Sequence, residues 1–395
     1  MEEQSRGRAL ERVKAIVKES DRSPMGAMKK IMQENPDIAN MSIGEANFDP
    51  PAELVETACA MLKDTVNRKS LYTSTRGLPS TREAVARYLK RWCGAAVDPE
   101  ENILMTVGGT EALHLAVKAL LEPGDKVLVP DPGWGPAAGL CARQGAELIY
   151  YELKKADAWT IDVDVILSKL DESIKVLIVN SPSNPTGAMI TAADDWKRIM
   201  EAARDKGVFV ISDEVYHAYS YIGPYASALP HDPTLENLLI VNSFSKGFAI
   251  MGWRLGFAVG HPWLIRQMDV YKETVSACSP SIAQWAIGEY LDDSEDYLTR
   301  MKAMCRDNMD KMVAQLNAIP GVDCPPAQGG FYLFPDFSAI EPSSAEMAQR
   351  LLRGGVAVAM GGAFGPHGEG CARLLFSAYW PDIDKAVGRI AKALT

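Results

Sequence analysis

The chain has 395 residues and a mass of 43.1 kDa, which is enough to bury a large core and predicts two or three domains. With 47% hydrophobic and 23% charged residues, its composition excludes a wholly disordered protein. The 41 basic and 51 acidic residues give a formal net charge of −10. Because an acidic surface repels phosphate backbones, we expect no nucleic-acid partner.

The seven cysteines form no Cys-x-x-Cys pair, and the five histidines are scattered along the chain. We therefore expect no metal site and no disulfide framework, but free thiols in a reducing compartment. Residues 1–20 are too charged for a secretory signal, and no apolar run is long enough to cross a bilayer. These features predict a cytoplasmic protein that does not associate with a membrane.

The first hundred residues predict three helices. Apolar residues recur at helical spacing between Leu10 and Val17, which predicts a short helix ending near residue 20. A second helix is predicted over residues 52–66. A third is expected to begin at Ser80, because Glu83 follows three residues later and completes a capping box.

Beyond residue 102 the pattern becomes one of short apolar runs separated by helices or loops. These runs occupy residues 126–130, 146–153, 175–182, 207–214, 238–245 and 255–260. They predict an α/β fold with a mostly parallel sheet sandwiched by helices. Ligands bind beyond the carboxyl ends of such strands, so we expect the chemistry at Asn180, Asp213 and residues 243–246.

The chain becomes helical again after residue 285. Apolar residues at three- and four-residue steps from Tyr297 to Leu316 predict one long helix. Its methionine-rich stripe is typical of core packing rather than of a binding surface. Short strands are predicted at FYLF and ARLLFSA, followed by a closing helix from Asp382.

Residues 243–256 read SFSKGFAIMGWRLG and place a lysine directly after a buried strand. Lys246 is either a solvated loop residue or a desolvated amine able to form a Schiff base. Arg254 lies eight residues further on, and its guanidinium could grip a phosphate dianion.

Three further segments end or follow predicted strands. The segment VISDEVY delivers Asp213 and Tyr216, although an aspartate after a strand is commonly a helix cap. The segment NSPSNPTG carries Asn184, although Asn-Pro turns occur in many loops. In VGGTEAL, Gly109 precedes Thr110, which we expect to cap a helix whose free N–H groups face an anion.

Taken together, the four segments predict a pyridoxal phosphate site. Lys246 would hold the aldehyde as an imine, and Asp213 would keep the pyridine nitrogen protonated. The phosphate would be bound by four residues: Gly109, Thr110, Ser243 and Arg254.

The chain resembles the fold-type I, class I/II pyridoxal-phosphate-dependent aminotransferases over nearly its whole length. Five motifs carry the resemblance in family order: GGTEAL, SPSNPTG, SDEVY, SFSKGFAIMGWRLG and GGAFGPHGEGCARLLFS. The resemblance implies that Lys246 is the Schiff-base lysine and also the proton shuttle. It implies that Asp213 pairs with the pyridine nitrogen, while Asn184 and Tyr216 bind the phenolic oxygen.

Further roles follow from the same resemblance. Trp134 would stack on the cofactor, and Ser245 would help to bind it. Arg373 matches the arginine that binds the substrate α-carboxylate, with Gly44 and Asn184 beside it. Next to Gly44 the chain carries Ala46 where the family usually has proline.

The resemblance also implies a homodimer with composite active sites, since Tyr72 matches a tyrosine that reaches the phosphate of the neighbouring subunit. It assigns residues 50–285 to a large cofactor-binding domain, and residues 1–49 plus 286–395 to a small domain.

The expected reaction is transfer of an amino group from an L-amino acid to a 2-oxo acid. Related proteins also run lyase, decarboxylase or oxidase reactions, which remain the alternative. The same fold also serves as the effector-binding module of transcription regulators, but those carry a basic domain ahead of it, and this acidic chain is expected to lack one.

The substrate side chain is expected to be neutral or aromatic. Aspartate-specific relatives carry a second arginine about 35 residues after the lysine, where this chain reads SACSPSIAQ. The candidate lining residues are mostly apolar: Met25, Phe48, Trp134 and Phe364. One alternative stays open: Arg22 or a residue of a partner subunit could supply a cation to the pocket. 2-Oxoglutarate is a candidate acceptor of the amino group.

Overall fold

A computed structural model describes residues 31–395 of the chain. The predicted helix before residue 20, and the pocket candidates Arg22 and Met25, lie outside the described residues.

Twelve β-strands are assigned in the described part of the chain. They are β1 (Ala39–Asn40), β2 (Ile103–Thr106), β3 (Lys126–Asp131), β4 (Glu147–Glu152), β5 (Ile174–Asn180), β6 (Phe209–Asp213), β7 (Leu238–Ser243), β8 (Gly256–Gly260), β9 (Tyr332–Leu333), β10 (Val356–Ala357), β11 (Ala359–Met360) and β12 (Ala372–Leu375).

Helices alternate with most of these strands. Within residues 39–395 they are α1 (Ala52–Lys63), α2 (Pro79–Cys93), α3 (Gly108–Leu120), α4 (Gly135–Gln144), α5 (Val163–Lys169), α6 (Ala193–Lys206), α7 (Phe244–Gly247), α8 (Pro262–Val275), α9 (Ser281–Tyr290), α10 (Glu295–Asn317), α11 (Ser344–Arg353) and α12 (Trp380–Leu394).

Seven strands form the central sheet in the order β2-β8-β7-β6-β5-β3-β4. Only β8 runs antiparallel to its neighbours β2 and β7, so the prediction of a mostly parallel α/β sheet is confirmed. The apolar runs predicted six of these strands. They missed β2, whose four residues (ILMT) form too short a run to stand out before the glycine pair.

Hydrophobic residues along the central strands alternate between two separate cores. In β5, Val176 and Ile178 pack into one core, whereas Leu177 and Val179 pack into the other. Successive side chains of a strand point to opposite faces, so the sheet is buried on both sides. Helices α3 and α8 cover the face of Val176 and Ile178.

The parallel strands end at one edge of the sheet. Asn180 at the end of β5 is in register with Asp213 at the end of β6, and β7 ends beside them at Ser243. The polar residues expected at the strand ends therefore lie side by side, as the topology of a doubly wound sheet requires.

A smaller antiparallel sheet faces this edge, with β12 between β9 and β11. Strand β1 pairs with β10, and Leu375 N donates to Met41 O, which ties the start of the described chain to the C-terminal strands. Helix α10 buries Tyr297, Cys305, Met309 and other residues of the predicted stripe, which confirms its assignment to the core.

Two predicted helix caps are wrong. Helix α2 begins at Pro79, and its N-cap Leu78 makes no side-chain cap bond, because proline at the first position already fixes the helical φ. Helix α3 begins at Gly108, so Thr110 lies inside its first turn instead of capping it. The closing helix starts at Trp380, two residues before the expected Asp382.

None of the helices within residues 31–395 is long and apolar enough to span a lipid bilayer.

Candidate active site

A cavity of about 250 Å³ opens at the carboxyl edge of the central sheet. Twelve of the thirteen predicted site residues line it: Gly44, Gly109, Thr110, Trp134, Asn184, Asp213, Tyr216, Ser243, Ser245, Lys246, Arg254 and Arg373. The exception is Tyr72, whose side chain is 88% exposed on the surface. The structure thus brings together residues that come from opposite ends of the chain.

Lys246 enters the cavity from a short helical turn that follows β7. Ser243 is the N-cap of this turn, and its Oγ accepts a hydrogen bond from Ser245 N at 3.2 Å. The Lys246 Nζ donates to the backbone oxygen of Gly44. The turn therefore aims the lysine across the cavity at the loop that carries Gly44.

Asp213 is buried at the end of β6, where desolvation raises its pKa to about 7. Two weaker influences oppose this rise: a 3.4 Å hydrogen bond from Val215 N and the positive charge of Lys246. Because burial dominates, the charges within residues 31–395 do not fully compensate this carboxylate. A cation placed in the cavity would stabilise its ionised form.

The start of α3, helix α7 and the loop just before β8 form a candidate anion-binding cup. Gly108 has φ +75°, and a Cβ there would lie 2.6 Å from Arg254 Nη2, so a side chain at this position would displace the arginine. The Ser245 Oγ is buried and has no hydrogen-bond partner among residues 31–395. Free N–H groups at a helix start, an arginine and an unsatisfied hydroxyl suit a phosphate group.

Arg373 is carried by β12 and is only 2% exposed. Its Nη1 donates to Asn184 Oδ1 at 2.9 Å, and its Nη2 donates to Ser42 O. Its buried Nε has no partner within the described residues. A buried guanidinium that has no carboxylate partner can bind the carboxylate of a ligand. Its two parallel N–H donors match the geometry of a carboxylate.

Tyr332 is a site residue that the sequence analysis missed. It lies on β9 in the segment FYLF, which indicates only a strand. Its hydroxyl lies 2.9 Å from the Tyr216 hydroxyl, and its ring lies under the Arg373 guanidinium at 4.4 Å. A Cβ on Gly44 would collide with the Tyr332 hydroxyl, so this contact also explains the glycine.

The tyrosine pair is strongly desolvated. Burial raises the pKa of Tyr216 well above its usual value, and the adjacent Tyr332 raises it further, whereas Arg373 opposes the shift. The Tyr216 hydroxyl is therefore a neutral hydrogen-bonding group at physiological pH.

The remaining pocket candidates divide between this cavity and its surroundings. Trp134 is half-buried and lines the cavity just before α4. Phe48 does not line it; its ring packs in the core, 6.3 Å from the ring of Phe331. Phe364 borders an adjoining cavity instead, 5.0 Å from the Arg373 guanidinium.

Known proteins are similar to this chain over most of its length. An aspartate aminotransferase of Pyrococcus horikoshii is 32% identical over 365 residues, which are 91% of each chain. An aspartate/prephenate aminotransferase of Thermus thermophilus is 32% identical over 92% of this chain and 93% of its own. An aromatic-amino-acid aminotransferase of Thermococcus litoralis is 29% identical over 90% of this chain and 92% of its own.

Solved structures agree with the sequence relatives. The structure of the Thermus thermophilus aspartate aminotransferase with maleate matches with a TM-score of 0.90 at 30% identity, covering 97% of this chain and 99% of that one. A sequence model of the class I and II aminotransferases matches residues 36–390. The chain therefore belongs to the class I and II aminotransferase family, and it is an enzyme that transfers amino groups.

Proposed function

We propose that this aminotransferase uses pyridoxal phosphate bound in the 250 Å³ cavity. The cup of Gly109, Thr110, Ser243, Ser245 and Arg254 would hold the phosphate. The orphaned Ser245 hydroxyl supports this assignment, because a phosphate oxygen would satisfy it. When bound, the cofactor supplies an electron sink for the carbanion at the substrate Cα.

Each neighbouring side chain has a distinct task in this proposal. The Lys246 Nζ would hold the cofactor covalently until the amino group of the substrate displaces it. The freed amine would then take the proton from the substrate Cα and deliver it to the cofactor carbon C4′. The Asp213 carboxylate keeps the pyridine nitrogen protonated, and that cation in turn offsets the burial of Asp213. Tyr216 and Asn184 hold the phenolic oxygen through hydrogen bonds, while Trp134 stacks on the ring.

The substrate α-carboxylate would bind the two terminal nitrogens of Arg373. Asn184 already accepts a hydrogen bond from this guanidinium, so it would orient the two terminal nitrogens. The backbone of Gly44 lines the same cavity. The donor is a neutral or aromatic L-amino acid, and 2-oxoglutarate serves as acceptor. The main support for this function is that Lys246, Asp213 and Arg373 line one cavity, although they lie on three separate strands or turns.

We also propose that the protein is a cytoplasmic homodimer with composite active sites. The exposed side chain of Tyr72 is free to reach a partner copy, which supports the dimer. All seven cysteines, Cys59 among them, are unpaired, which supports a reducing compartment. The seven-stranded sheet lies within residues 50–285, and the two smaller sheets are built from the rest of the described chain. This supports a division into a large domain (50–285) and a small one (1–49 plus 286–395), with the active site between them.

Borohydride trapping tests the cofactor assignment. After reduction of the purified protein and proteolysis, mass spectrometry is expected to find the pyridoxyl group on Lys246. Lys246→Ala should carry none, whereas the exposed-lysine control Lys118→Ala should be labelled like the wild type. Labelling of a different lysine in the wild type would refute the role of Lys246.

A further inference from the structure

Residues 361–368 connect β11 to β12 and form an arm that reaches from the small sheet toward the central sheet. The arm belongs to the same sequence motif as Arg373, which lies on β12. Glu369 fixes the arm to helix α11, because its carboxylate accepts from Ser344 N at 2.7 Å and from Ser344 Oγ at 2.9 Å. The Ser344 Oγ in turn accepts from Gly362 N at 3.1 Å. The arm is therefore held on the side of the site that carries Arg373.

The tip of the arm contacts the ends of β3 and β4. In the loop after β3, Gly133 N donates to Phe364 O at 2.8 Å. His367 contacts Asp131, the last residue of β3, through two hydrogen bonds: its backbone N donates to Oδ1 at 3.3 Å, and its Nδ1 donates to Oδ2 at 2.7 Å. Its Nε2 lies 3.5 Å from Oε1 of Glu152, which ends β4 in register with Asp131. The imidazole therefore lies between the ends of two adjacent strands.

Asp131 is buried against the arm. Its side chain is only 4% exposed, and no lysine or arginine within residues 31–395 forms an ion pair with it. A buried carboxylate needs hydrogen-bond donors or cations, and His367 supplies a donor to each of its oxygens. Gly365 has φ +131°, and a Cβ there would collide with Asp131 Oδ1, so this glycine allows the close approach of the arm.

The pair of Asp131 and His367 connects two parts of the active site. Trp134 follows Asp131 in the chain, and Arg373 follows His367; both Trp134 and Arg373 line the cofactor cavity. The arm also carries Phe364, whose ring lies 5.0 Å from the Arg373 guanidinium. Neither Asp131 nor His367 lines the cavity, so the pair can affect the reaction only through these neighbours.

We propose that Asp131 and His367 are a positioning pair that holds the Arg373 guanidinium in place over the cofactor site. The assignment rests on the proposed function, in which Arg373 binds the substrate α-carboxylate. Among the described residues, only backbone N–H groups would join the arm to β3 and its following loop if the imidazole were removed. Arg373 would then bind the α-carboxylate less well, whereas the groups on the central sheet would still hold the cofactor.

Half-reaction kinetics of the holoenzyme with phenylalanine and with methionine test this assignment. We expect His367→Ala to raise the half-saturating concentration of both amino acids about tenfold, because both carry the same α-carboxylate and one charged hydrogen bond is lost. The maximal rate and the Kd for pyridoxal phosphate should each change less than about twofold, because Lys246 and Asp213 are held by the central sheet. His231→Ala removes a half-buried histidine outside the cavity walls and should leave all three quantities unchanged.

Three further variants separate positioning from folding. His367→Asn places an amide nitrogen where Nδ1 lies, so it can still donate to Asp131, and most of the substrate affinity should return. His367→Gln carries its amide one bond further out and should recover less. Asp131→Ala breaks the same pair from the other side, so its effect should not add to that of His367→Ala in the double variant.

An unchanged half-saturating concentration in His367→Ala would overturn the positioning role. An equal loss of affinity for pyridoxal phosphate, or effects that add in the double variant, would also overturn it. A wild-type holoenzyme that is inert toward phenylalanine, methionine and the other common L-amino acids would instead overturn the proposed function on which this role rests.

Discussion

Lys272 and Glu111 form a buried ion pair next to the candidate anion-binding cup, with 2.7 Å between Nζ and Oε2. The same Glu111 oxygen accepts a hydrogen bond from Val107 N at 2.6 Å, while Lys272 Nζ also donates to Ser276 Oγ at 2.8 Å. Glu111 thereby satisfies the N-cap amide of α3, and Lys272 neutralises a carboxylate that would otherwise repel an anion one turn away.

Removing that lysine should weaken the binding of the phosphate. Lys272→Met leaves Glu111 buried and uncompensated, which costs about 3–5 kcal/mol in comparable pairs. We expect at least a tenfold loss of affinity for pyridoxal phosphate in titrations of the apoenzyme. Pyridoxal, which has no phosphate, should lose much less.

The double variant Glu111→Gln/Lys272→Met serves as the control for this prediction. It removes both charges, and the amide oxygen of glutamine can still accept from Val107 N, so most of the affinity should return. An equal loss for pyridoxal phosphate and pyridoxal would contradict an electrostatic role of the pair.

Asp213→Asn should lower kcat by several orders of magnitude. A neutral amide cannot hold the pyridine nitrogen protonated, so the cofactor would withdraw electrons poorly from the Cα. Steady-state kinetics with phenylalanine and 2-oxoglutarate measure the effect. A loss below tenfold, equivalent to about 1.4 kcal/mol, is incompatible with the proposed role.

The same carboxylate makes the stability of the apoenzyme depend on pH. Burial raises the pKa of Asp213 to about 7, so between pH 3.8 and 7 the folded state binds more protons than the unfolded state. The contribution of Asp213 to stability therefore falls as the pH rises through this window, by up to about 4 kcal/mol.

Thermal melts of apo Asp213→Asn, compared with wild type, isolate this effect from that of Glu214, the next residue, whose pKa burial also raises to about 7. We expect the variant to melt at a higher temperature at pH 8, with a difference that shrinks toward pH 5. Pyridoxal phosphate should reverse the order at pH 8, because its cation restores the partner that wild-type Asp213 lacks. A difference that grows on acidification would contradict the raised pKa.

Arg373→Lys should raise the KM for every amino acid, whatever its side chain. Lysine offers one point charge in place of two parallel donors, so it cannot reproduce the bidentate fork. We expect at least a tenfold increase with both phenylalanine and glutamate. An increase confined to glutamate would place Arg373 at the distal carboxylate instead.

The sequence was sufficient for the parts of the site that follow from local chemistry and sheet topology. Asp213 and Lys246 each follow a recognisable apolar run, and parallel strands bring their ends to one edge. The strand ends alone therefore predicted their proximity. The long helix α10 was equally clear, because 23 residues of regular spacing leave no ambiguity.

Residues whose role depends on distant contacts could not be found in this way. Tyr332 looks like any strand tyrosine until β9 is paired with β12 beside Arg373. In the sequence, Lys272 looks like a lysine on the exposed face of a helix. In the structure its side chain is fully buried, and its charge is paired with Glu111. The cap expected at Thr110 failed because the glycine pair itself begins the helix.

The conversion of bound cofactor in a single half-reaction tests the central claim most directly. Purified holoenzyme is mixed with excess L-phenylalanine in the absence of any 2-oxo acid, and the cofactor is released with acid and identified by chromatography. We predict stoichiometric conversion of pyridoxal phosphate to pyridoxamine phosphate with one equivalent of phenylpyruvate, reversed by adding 2-oxoglutarate. Unchanged pyridoxal phosphate after exposure to phenylalanine, glutamate and the other common L-amino acids would contradict the account.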